Sequence, residues 1–360
     1  MTAIRVKAGA AAARAASGKA SSLPAVRIKP AAGVLKAALQ PSPGAGRKPA
    51  VALRKPGAAK PGAAGAAAAN AGAAAKPGPG PDPAHYELLE AIGRGGTGTV
   101  FRARDKFLDF DVAVKIVDRD LLADPEVLAA FKDEARITMQ LSHPNILRLY
   151  SFQSHEGCPY VVMELVRGES LRAALESRGA LAVRTVCQIV RQCASALGFA
   201  HAHNVVHKDV KPENVFIAET GELKVIDFGS AVLNGARANA SGAIVGTPEY
   251  MAPEQLRGDI VGPGADIYAL AVMAHLALVG VFPYPAGTTP AQLLSGAVRP
   301  GFAALPEVLV PIFEKATAPD PAARHATAAE FARDLAWACG CPDVFDDPDE
   351  PIRLDPAVRQ

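Results

Sequence analysis

The most informative stretch of this 360-residue chain is His207-Lys208-Asp209-Val210-Lys211-Pro212-Glu213-Asn214, which is followed eighteen residues after Asp209 by Asp227-Phe228-Gly229. Pro212 and the crowded polar side chains exclude a regular helix, because proline lacks a backbone donor and clashes with the preceding turn. The stretch is therefore a loop in which several side chains converge. In such a loop, Asp209 can accept a proton from a hydroxyl nucleophile, and Lys211 can neutralise a phosphoryl group in transfer.

Two oxygen-bearing side chains of this region are suited to a hard divalent cation. Asn214 offers an amide oxygen, and Asp227 offers a carboxylate where the predicted strand Leu223–Ile226 ends. Hard cations prefer oxygen ligands, and a carboxylate in this position can hold Mg²⁺ that bridges phosphates. His-x-Asp or Asp-Phe-Gly alone often occurs by chance, whereas both motifs in this order and at this spacing argue against coincidence.

A glycine-rich segment lies upstream, Gly93-Arg94-Gly95-Gly96-Thr97-Gly98-Thr99-Val100. G-x-G-x-x-G alone is weak evidence, because a dinucleotide-binding turn has the same glycines and continues into a helix. Here Tyr86–Ile92 before the glycines and the β-branched, alternating Thr99–Ala103 after them both predict strands. We therefore expect a hairpin whose glycine-rich tip can lie over a triphosphate, with no Cβ between its N–H groups and the phosphates.

A single lysine lies within the apolar strand pattern Val112–Ile116. An inward-pointing Lys115 needs an anionic partner, because burying an unpaired charge is costly. The helical pattern Glu126–Leu141 supplies Glu134, nineteen residues after the lysine, and Asp133 is the neighbour that could be mistaken for it.

These motifs together resemble the eukaryotic-like (bacterial-type) serine/threonine protein kinase family, and the resemblance covers about residues 84–338. It implies an α+β, bilobal protein kinase fold with a small β-rich N-lobe and a larger helical C-lobe, preceded by a disordered basic tail. The implied parts are the tail at 1–84, the kinase domain at 85–338 and an acidic C-terminal tail at 339–360. Within the domain, the N-lobe spans 85–163, the hinge 164–168 and the C-lobe 169–338.

The resemblance also implies how a nucleotide is bound. The covering loop would contain Gly93, Gly95, Gly98 and Val100. The adenine ring would lie between Val100, Ala113 and Phe216, with Met163 as gatekeeper and the backbones of Glu164 and Val166 at the adenine edge. Lys115 would contact the α- and β-phosphates and pair with Glu134.

The implied catalytic machinery lies in the C-lobe. Asp209 would be the catalytic base with Lys211 beside it, and Asn214 and Asp227 would hold the metal ions. Asp266 would hold the backbone of the catalytic loop, and Glu254 would pair with Arg324. The implied reaction is transfer of the γ-phosphoryl group of ATP, with Mg²⁺ or alternatively Mn²⁺, to Ser/Thr hydroxyls of proteins. Lys211 and Thr247 are features that look like the Ser/Thr class.

Two alternatives remain open, a nucleotide-binding pseudokinase scaffold and a kinase whose basic tail binds nucleic acid or acidic partners. One departure from the family also matters, because Lys208 stands where the family usually has Arg. In the family that Arg often receives an activation-loop phosphate, and Lys would hold a phosphate less tightly than the bidentate guanidinium does. Ser241 lies where the activating phosphosite often falls, and we expect its autophosphorylation to have a modest effect on activity.

The charge of the chain divides into two opposite parts. Residues 1–84 carry 13 Lys and Arg side chains and one acidic side chain, a net charge of +12, whereas the remaining residues carry 25 basic and 35 acidic side chains, a net charge of −10. The first segment is rich in Ala, Gly, Pro and Lys without aromatic residues, which predicts disorder and at most loose binding of polyanions or acidic proteins. The negative charge of the rest argues against a nucleic-acid-binding fold there.

The remaining expectations concern the environment of the chain and its C-terminal end. No apolar stretch is long enough for a membrane span, and five cysteines without a framework spacing predict reduced thiols and a cytoplasmic protein. The oligomeric state is not readable from the sequence. Trp337 is predicted to anchor the last helix against the C-lobe, and the acidic run Asp343–Glu350 is predicted to be a solvated tail.

Overall fold

Five strands in the first part of the kinase-like region form one antiparallel sheet. The computed structural model describes residues 78–94, 98–228, 232–233 and 247–354. The strands are β1 (Tyr86–Arg94), β2 (Gly98–Asp105), β3 (Phe110–Val117), β4 (Leu149–His155) and β5 (Cys158–Met163). Their order across the sheet is β1-β2-β3-β5-β4, and each neighbouring pair is antiparallel. The small β-rich lobe predicted from the resemblance is therefore confirmed.

The two faces of β3 have different neighbours. Val112, Val114 and Ile116 pack with Tyr86 and Tyr160 on one face of the sheet. On the other face, Val117 packs with helix α1 (Pro125–Thr138). Because successive side chains of a strand point to opposite faces, Lys115 shares the α1 face, and the strand positions it toward the helix that carries Glu134.

Helix α1 ends at Thr138, three residues earlier than the helical pattern of the sequence predicts. After it, the amides of Gln140 and Leu141 donate to the carbonyls three residues before them, Ile137 and Thr138. Such tight final turns satisfy the last carbonyls of a helix without extending it.

The larger lobe is mainly helical. Its helices are α2 (Leu171–Arg178), α3 (Val183–Ala202), α4 (Pro253–Leu256), α5 (Pro263–Val279), α6 (Pro290–Leu294), α7 (Val310–Ala316) and α8 (Ala328–Ala338). Every residue of α5 from Ala265 to Leu278 is buried, as expected for a helix that is apolar on all sides. Helix α5 is therefore the centre of this lobe, and the predicted bilobal α+β fold is confirmed.

Among the described residues of this lobe, five short strands accompany the helices. They are β6 (Gly168–Ser170), β7 (Val205–Val206), β8 (Val215–Ala218), β9 (Leu223–Val225) and β10 (Val232–Leu233). Strands β6, β8 and β9 form a three-stranded sheet, and β10 pairs with β7. Strands β8 and β9 form a hairpin that follows the polar loop 207–214 directly, so the hairpin connects the two polar motifs of the sequence.

The start of the described chain differs from the predicted boundary at residue 84. Residues 78–84 lie against the small lobe, where the Gly78 amide donates to the Val117 carbonyl at 3.1 Å and Pro81 is buried. A Cβ at position 78 would collide with the Cys158 Sγ, which explains why glycine is needed at this close approach. The predicted disorder of residues 1–77 lies outside the described residues.

The C-terminal residues are attached to the C-lobe, which the prediction of a solvated tail did not include, although the side chains of Asp343, Asp346, Asp347 and Asp349 are exposed. We call Pro342–Leu354 the C-terminal segment. It lies on the C-lobe, with the side chains of Val344 and Ile352 buried. Burial of an aliphatic side chain contributes about 1.5–3 kcal/mol, whereas partly exposed ion pairs contribute about 0–1 kcal/mol. The two apolar side chains are therefore the main anchors of the segment.

Trp337 is also placed differently from the prediction, because its side chain is 69% exposed. Phe331 and Leu335, one helical turn apart, form the buried face of α8. Positions two residues apart on a helix do not share a face, so Trp337 points away from the face that Leu335 occupies. The aliphatic and phenylalanine side chains of α8, and not the tryptophan, hold it on the C-lobe.

Within the part of the chain that the structure describes, no helix is both long and apolar enough to cross a bilayer.

Candidate active site

Lys115 and Glu134 form the ion pair predicted from their spacing. The Lys115 Nζ lies 2.9 Å from the Glu134 Oε1, and both side chains are about 15% exposed, at 15% and 16%. Burial lowers the pKa of Lys115, but the attraction of Glu134 and of Asp227 outweighs it, so the pKa is raised above its ordinary value. Lys115 is therefore held in its charged form, and its electrostatic coupling to Asp227 connects the two lobes. The neighbouring Asp133 is exposed.

Asp266 binds the backbone of the polar loop 207–214. Its buried carboxylate, in the first turn of α5, accepts hydrogen bonds from the backbone amides of His207 at 2.9 Å and Lys208 at 2.8 Å. The His201 Nε2 lies 2.7 Å from the same carboxylate. Burial raises the pKa of Asp266, but the His201 hydrogen bond and the attraction of nearby histidines outweigh it and keep the pKa below its usual value. Asp266 is therefore a fixed anion beneath the loop.

Two residues of the site have backbone conformations that side chains other than glycine rarely adopt. Lys208 has a φ of 69° and Asp227 a φ of 62°. Such conformations cost on the order of 1–3 kcal/mol each and persist where surrounding contacts fix them. For Lys208 the contacts are Asp266 at its amide and the Gln255 Nε2, which donates to its carbonyl at 2.9 Å. Burial lowers the pKa of the Lys208 ammonium, and Asp266 partly opposes this effect.

The carboxylate of Asp209 contacts the side chains of Lys211 and Asn214. Its Oδ2 is 2.6 Å from the Lys211 Nζ and accepts a hydrogen bond from the Asn214 Nδ2 at 3.0 Å. The Lys211 Nζ also donates to the Thr247 Oγ1 at 3.3 Å. Among the described residues, no hydrogen bond reaches the Oδ1 of Asp209, so this oxygen is available to a substrate hydroxyl.

Asn214 and Asp227 flank the β8–β9 hairpin. Asn214 precedes β8, Asp227 lies two residues after β9, and the Ile226 amide donates to the Asn214 carbonyl at 2.9 Å. Phe228 is buried against His207, with their ring centroids 4.5 Å apart. The hairpin and this aromatic contact bring Asn214 and Asp227 to the same end of the hairpin.

The donor atoms of these two residues fit a hard divalent cation. The Asn214 Nδ2 donates to the Asp209 carbonyl at 2.8 Å, which fixes the orientation of the amide and leaves its Oδ1 for a ligand. An amide oxygen and a carboxylate are ligand types that suit a hard cation held together with phosphates and water.

The predicted adenine-binding residues lie on neighbouring elements. Ala113 is opposite Met163 in the β3–β5 ladder, and Val100 is opposite Lys115 in the β2–β3 ladder. Phe216 is half-buried on β8. Val100, Ala113 and Met163 thus belong to the N-lobe sheet, and Phe216 belongs to the C-lobe.

The hinge after β5 offers polar backbone groups. The Glu164 carboxylate accepts from the Arg148 amide at 2.7 Å and pairs with the Lys224 Nζ at 3.2 Å, which fixes the side chain. Over the described ranges, neither the Glu164 carbonyl nor the Val166 amide has a hydrogen-bond partner. One acceptor and one donor are therefore available for the edge of a purine.

The glycine-rich turn is described only at its two ends. Gly93 is opposite Val100 in the β1–β2 pairing, and Gly98 begins β2. A Cβ at Gly98 would collide with the Ile116 carbonyl, so the close approach of β2 and β3 requires glycine. Gly95 of the predicted covering loop and the predicted phosphosite Ser241 lie outside the described residues.

A buried ion pair joins α4 to the end of the C-lobe, as predicted. The Arg324 guanidinium makes a bidentate contact with Glu254, at 2.6 and 2.7 Å, and also donates to the Gly264 carbonyl at 2.8 Å. Because two parallel N–H···O bonds fix both distance and angle, this pair sets the position of α4, which also carries Gln255.

Three supporting residues were missed by reasoning from motifs. His201 belongs to none of the motifs, yet its Nε2 lies 2.7 Å from the Asp266 carboxylate. Gln255 holds the Lys208 carbonyl, and the Gln192 Oε1 accepts from the Leu223 amide at 3.0 Å. Gln192 lies in α3 and Gln255 directly follows Glu254 in α4. Both helices carry other polar residues, so no signal in the sequence distinguished these two glutamines.

Comparison with known proteins finds a matching family model and similar proteins. Residues 86–332 match the family model described as "Protein kinase domain". The chain is 33% identical over 260 residues to "Serine/threonine-protein kinase PrkC" of Bacillus subtilis, covering 70% of this chain and 40% of that protein. It is 37% identical over 268 residues to "Probable serine/threonine-protein kinase PknB" of Bifidobacterium longum, covering 69% and 39%.

The alignment with a third relative covers a larger share of that relative's length. The chain is 36% identical over 261 residues to "Serine/threonine-protein kinase PknA" of Mycobacterium tuberculosis, covering 70% of this chain and 60% of that protein. The chain thus spans 39–60% of the length of these three curated relatives.

Proposed function

The chain belongs to the protein kinase family, and from this membership we propose that it transfers the γ-phosphoryl group of ATP to Ser and Thr hydroxyls of proteins. The observation that carries the proposal is the convergence around one loop of a carboxylate, an ammonium, an amide and a second carboxylate, opposite the Lys115–Glu134 pair of the N-lobe. The same residue types in the same order perform phosphoryl transfer throughout the family.

Each residue of the site has its own proposed role in the reaction. Lys115, charged and fixed by Glu134, would bind the α- and β-phosphates. Asn214 and Asp227 would hold Mg²⁺, or alternatively Mn²⁺, which neutralises phosphate charge when bound. Asp209 would orient the attacking hydroxyl through its free Oδ1 and take its proton. Lys211, 2.6 Å from the Oδ2, would keep this carboxylate in place and offset negative charge on the phosphoryl group.

Positioning and charge neutralisation, and not covalent chemistry of the protein, would supply most of the rate acceleration.

A pseudokinase scaffold is the main alternative. It is disfavoured because Lys115, Asp209, Asn214 and Asp227 are all present and because the pair of Lys115 with Glu134 is formed.

The choice of Ser and Thr is proposed from the names of the relatives and from Lys211. We expect radiolabelled γ-phosphate to appear on phosphoserine or phosphothreonine when the purified full chain acts on a generic basic protein. Phosphoamino-acid analysis of the hydrolysed product is the measurement, with the Asp209→Asn variant as the control. Label on phosphotyrosine alone would contradict the proposed specificity, and equal label from wild type and variant would contradict the proposed enzyme.

Three narrower proposals accompany this function. Ser241 is an autophosphorylation site, which peptide mapping of the same labelled enzyme would detect. The basic residues before the kinase domain serve as a loose arm for a polyanion or an acidic protein. The five free cysteines favour a reducing compartment with ATP, which is the cytoplasm.

A further inference from the structure

The C-terminal segment Pro342–Leu354 contacts the hairpin whose two ends carry Asn214 and Asp227. The Ile352 amide donates to the carbonyl of Gly221, in the turn between β8 and β9, at 2.9 Å. The Ile352 side chain is 4% exposed. The segment therefore reaches the turn at the end of the hairpin opposite to the proposed metal ligands.

Gly221 and the C-terminal segment approach each other so closely that no side chain fits between them. Gly221 has a φ of +87°, a conformation that L side chains rarely adopt. A Cβ at this position would lie 2.5 Å from the Pro351 Cβ and 2.9 Å from the Ile352 backbone nitrogen and oxygen. Any side chain at position 221 would thus displace the C-terminal segment, so glycine is matched to the segment as well as to the turn.

The segment is held on α3 over its length. The Arg184 guanidinium contacts the Asp343 Oδ2 at 2.7 Å and the Glu350 Oε2 at 2.9 Å, and the Thr185 Oγ1 donates to the Arg353 carbonyl at 3.3 Å. The Arg184, Asp343 and Glu350 side chains are 42%, 56% and 30% exposed, so these pairs guide the segment more than they anchor it. The buried Val344 and Ile352 are the anchors.

The β8–β9 hairpin is also held through its strands, which are joined by the residue pairs Val215↔Val225, Phe216↔Lys224 and Ile217↔Leu223. The Asn145 Nδ2 donates to the Leu223 carbonyl at 3.0 Å, and the Val225 amide donates to the Asn145 carbonyl at 2.8 Å. The Gln192 Oε1 holds the Leu223 amide, and β6 pairs with β8. These contacts act on the strands, and the contact of the C-terminal segment at Gly221 adds a restraint at the turn, at the end of the hairpin opposite to Asn214 and Asp227.

We propose that the C-terminal segment, through Ile352 at Gly221, is a positioning element that sets the affinity of the Asn214–Asp227 end for the nucleotide-bound metal. The proposal rests on the proposed use of these two residues as metal ligands. It assigns a role to residues that follow the region matched by the kinase family model, which ends at residue 332. Ile352 touches neither nucleotide nor metal and acts only through the hairpin.

Two substitutions break the same contact from opposite sides. Gly221→Ala introduces the colliding Cβ, and Ile352→Asp places a charge in the buried apolar site. Gly287→Ala is the matched control, because Gly287 has a similar φ of +80° and no atom would lie within 4 Å of its Cβ. Ile352→Val, which keeps an aliphatic side chain at the contact, should restore most of the wild-type behaviour.

The first readout is independent of catalysis. We expect hydrogen–deuterium exchange of the amides in 215–225 to become faster in Gly221→Ala and Ile352→Asp, with exchange in α5 unchanged. The second is binding of a fluorescent nonhydrolysable ATP analogue to the full chain during a Mg²⁺ titration. The half-saturating Mg²⁺ concentration should rise about threefold to tenfold in both variants, within the range of coupling through packed elements, and stay at the wild-type value in Gly287→Ala.

The double variant Gly221→Ala/Ile352→Asp should show no further increase, because one contact can be lost only once. Unchanged exchange in the hairpin would overturn the proposal. Faster exchange with an unchanged Mg²⁺ requirement would also overturn it, because the segment would then be only structural. These results do not depend on phosphoryl transfer, so absence of kinase activity in the wild type would contradict the proposed function and not this coupling.

Discussion

Substituting Asp209 with Asn is expected to lower the rate of phosphoryl transfer about a thousandfold, within the range typical of losing a general base. The asparagine amide has nearly the same shape and can still accept the Asn214 hydrogen bond through its oxygen. It cannot take the proton of the substrate hydroxyl. Initial rates with a generic basic protein substrate, at saturating ATP and Mg²⁺, would measure the change.

Two controls separate this chemical effect from misfolding. The affinity for a nonhydrolysable ATP analogue and the thermal unfolding midpoint should remain close to the wild-type values, since Asp209 lies on the side of the proposed acceptor. A variant that keeps more than a tenth of the wild-type rate would show that Asp209 is not the base.

The second large effect concerns the N-lobe pair. Glu134→Ala should lower kcat/KM for ATP about a hundredfold, comparable to removing a preorganised electrostatic contact in an active site. Without Glu134, the buried ammonium of Lys115 has Asp227 as its remaining attracting carboxylate. The lysine would then be drawn toward a proposed metal ligand and away from the phosphates.

Asp133 is the matched control for this prediction. It is the same kind of charge one residue earlier on α1, but its side chain is exposed. Asp133→Ala should therefore change kcat/KM by less than about twofold, as is usual for surface substitutions. Equal losses in the two variants would mean that the charge of the helix, and not the Lys115–Glu134 contact, supports activity.

The sequence could predict the parts of the site that local chemistry determines. Proline in a polar loop, glycines before a β-branched run and one lysine in an apolar strand each restrict the backbone or require a partner. Lys115 and Glu134 are only nineteen residues apart, on a strand and on the next α-helix, so their pairing at 2.9 Å followed from the order of strand and helix.

The contacts that support the site could not be predicted in this way. Gln192, Gln255 and His201 hold backbone or carboxylate groups of elements distant in the sequence, and polar residues in helices are usually solvated. For the C-terminal segment, Arg184 and Asp343 are 159 positions apart. Its acidic composition suggested solvation, whereas the apolar residues Val344, Phe345, Ile352 and Leu354 were the signs of packing. Four apolar residues do not identify the surface that they cover.

The charge of residues 1–84 does not predict which residues they contact. The +12 arm and the −10 remainder are plain in the sequence, but charge alone identifies no contact. The arm begins to be described only at Gly78, where backbone geometry and the collision of a Cβ with Cys158 explain the glycine.

A crystal structure of the full chain with Mg²⁺ and a nonhydrolysable ATP analogue is the most direct test of the proposed phosphotransferase. We expect the metal to be bound by Asn214 and Asp227 together with phosphate oxygens, the Lys115 ammonium to contact the α- and β-phosphates, and the Asp209 carboxylate to face the γ-phosphoryl group. A nucleotide bound elsewhere, or phosphates in the cleft that contact neither Lys115 nor a metal held by Asp227, would contradict it.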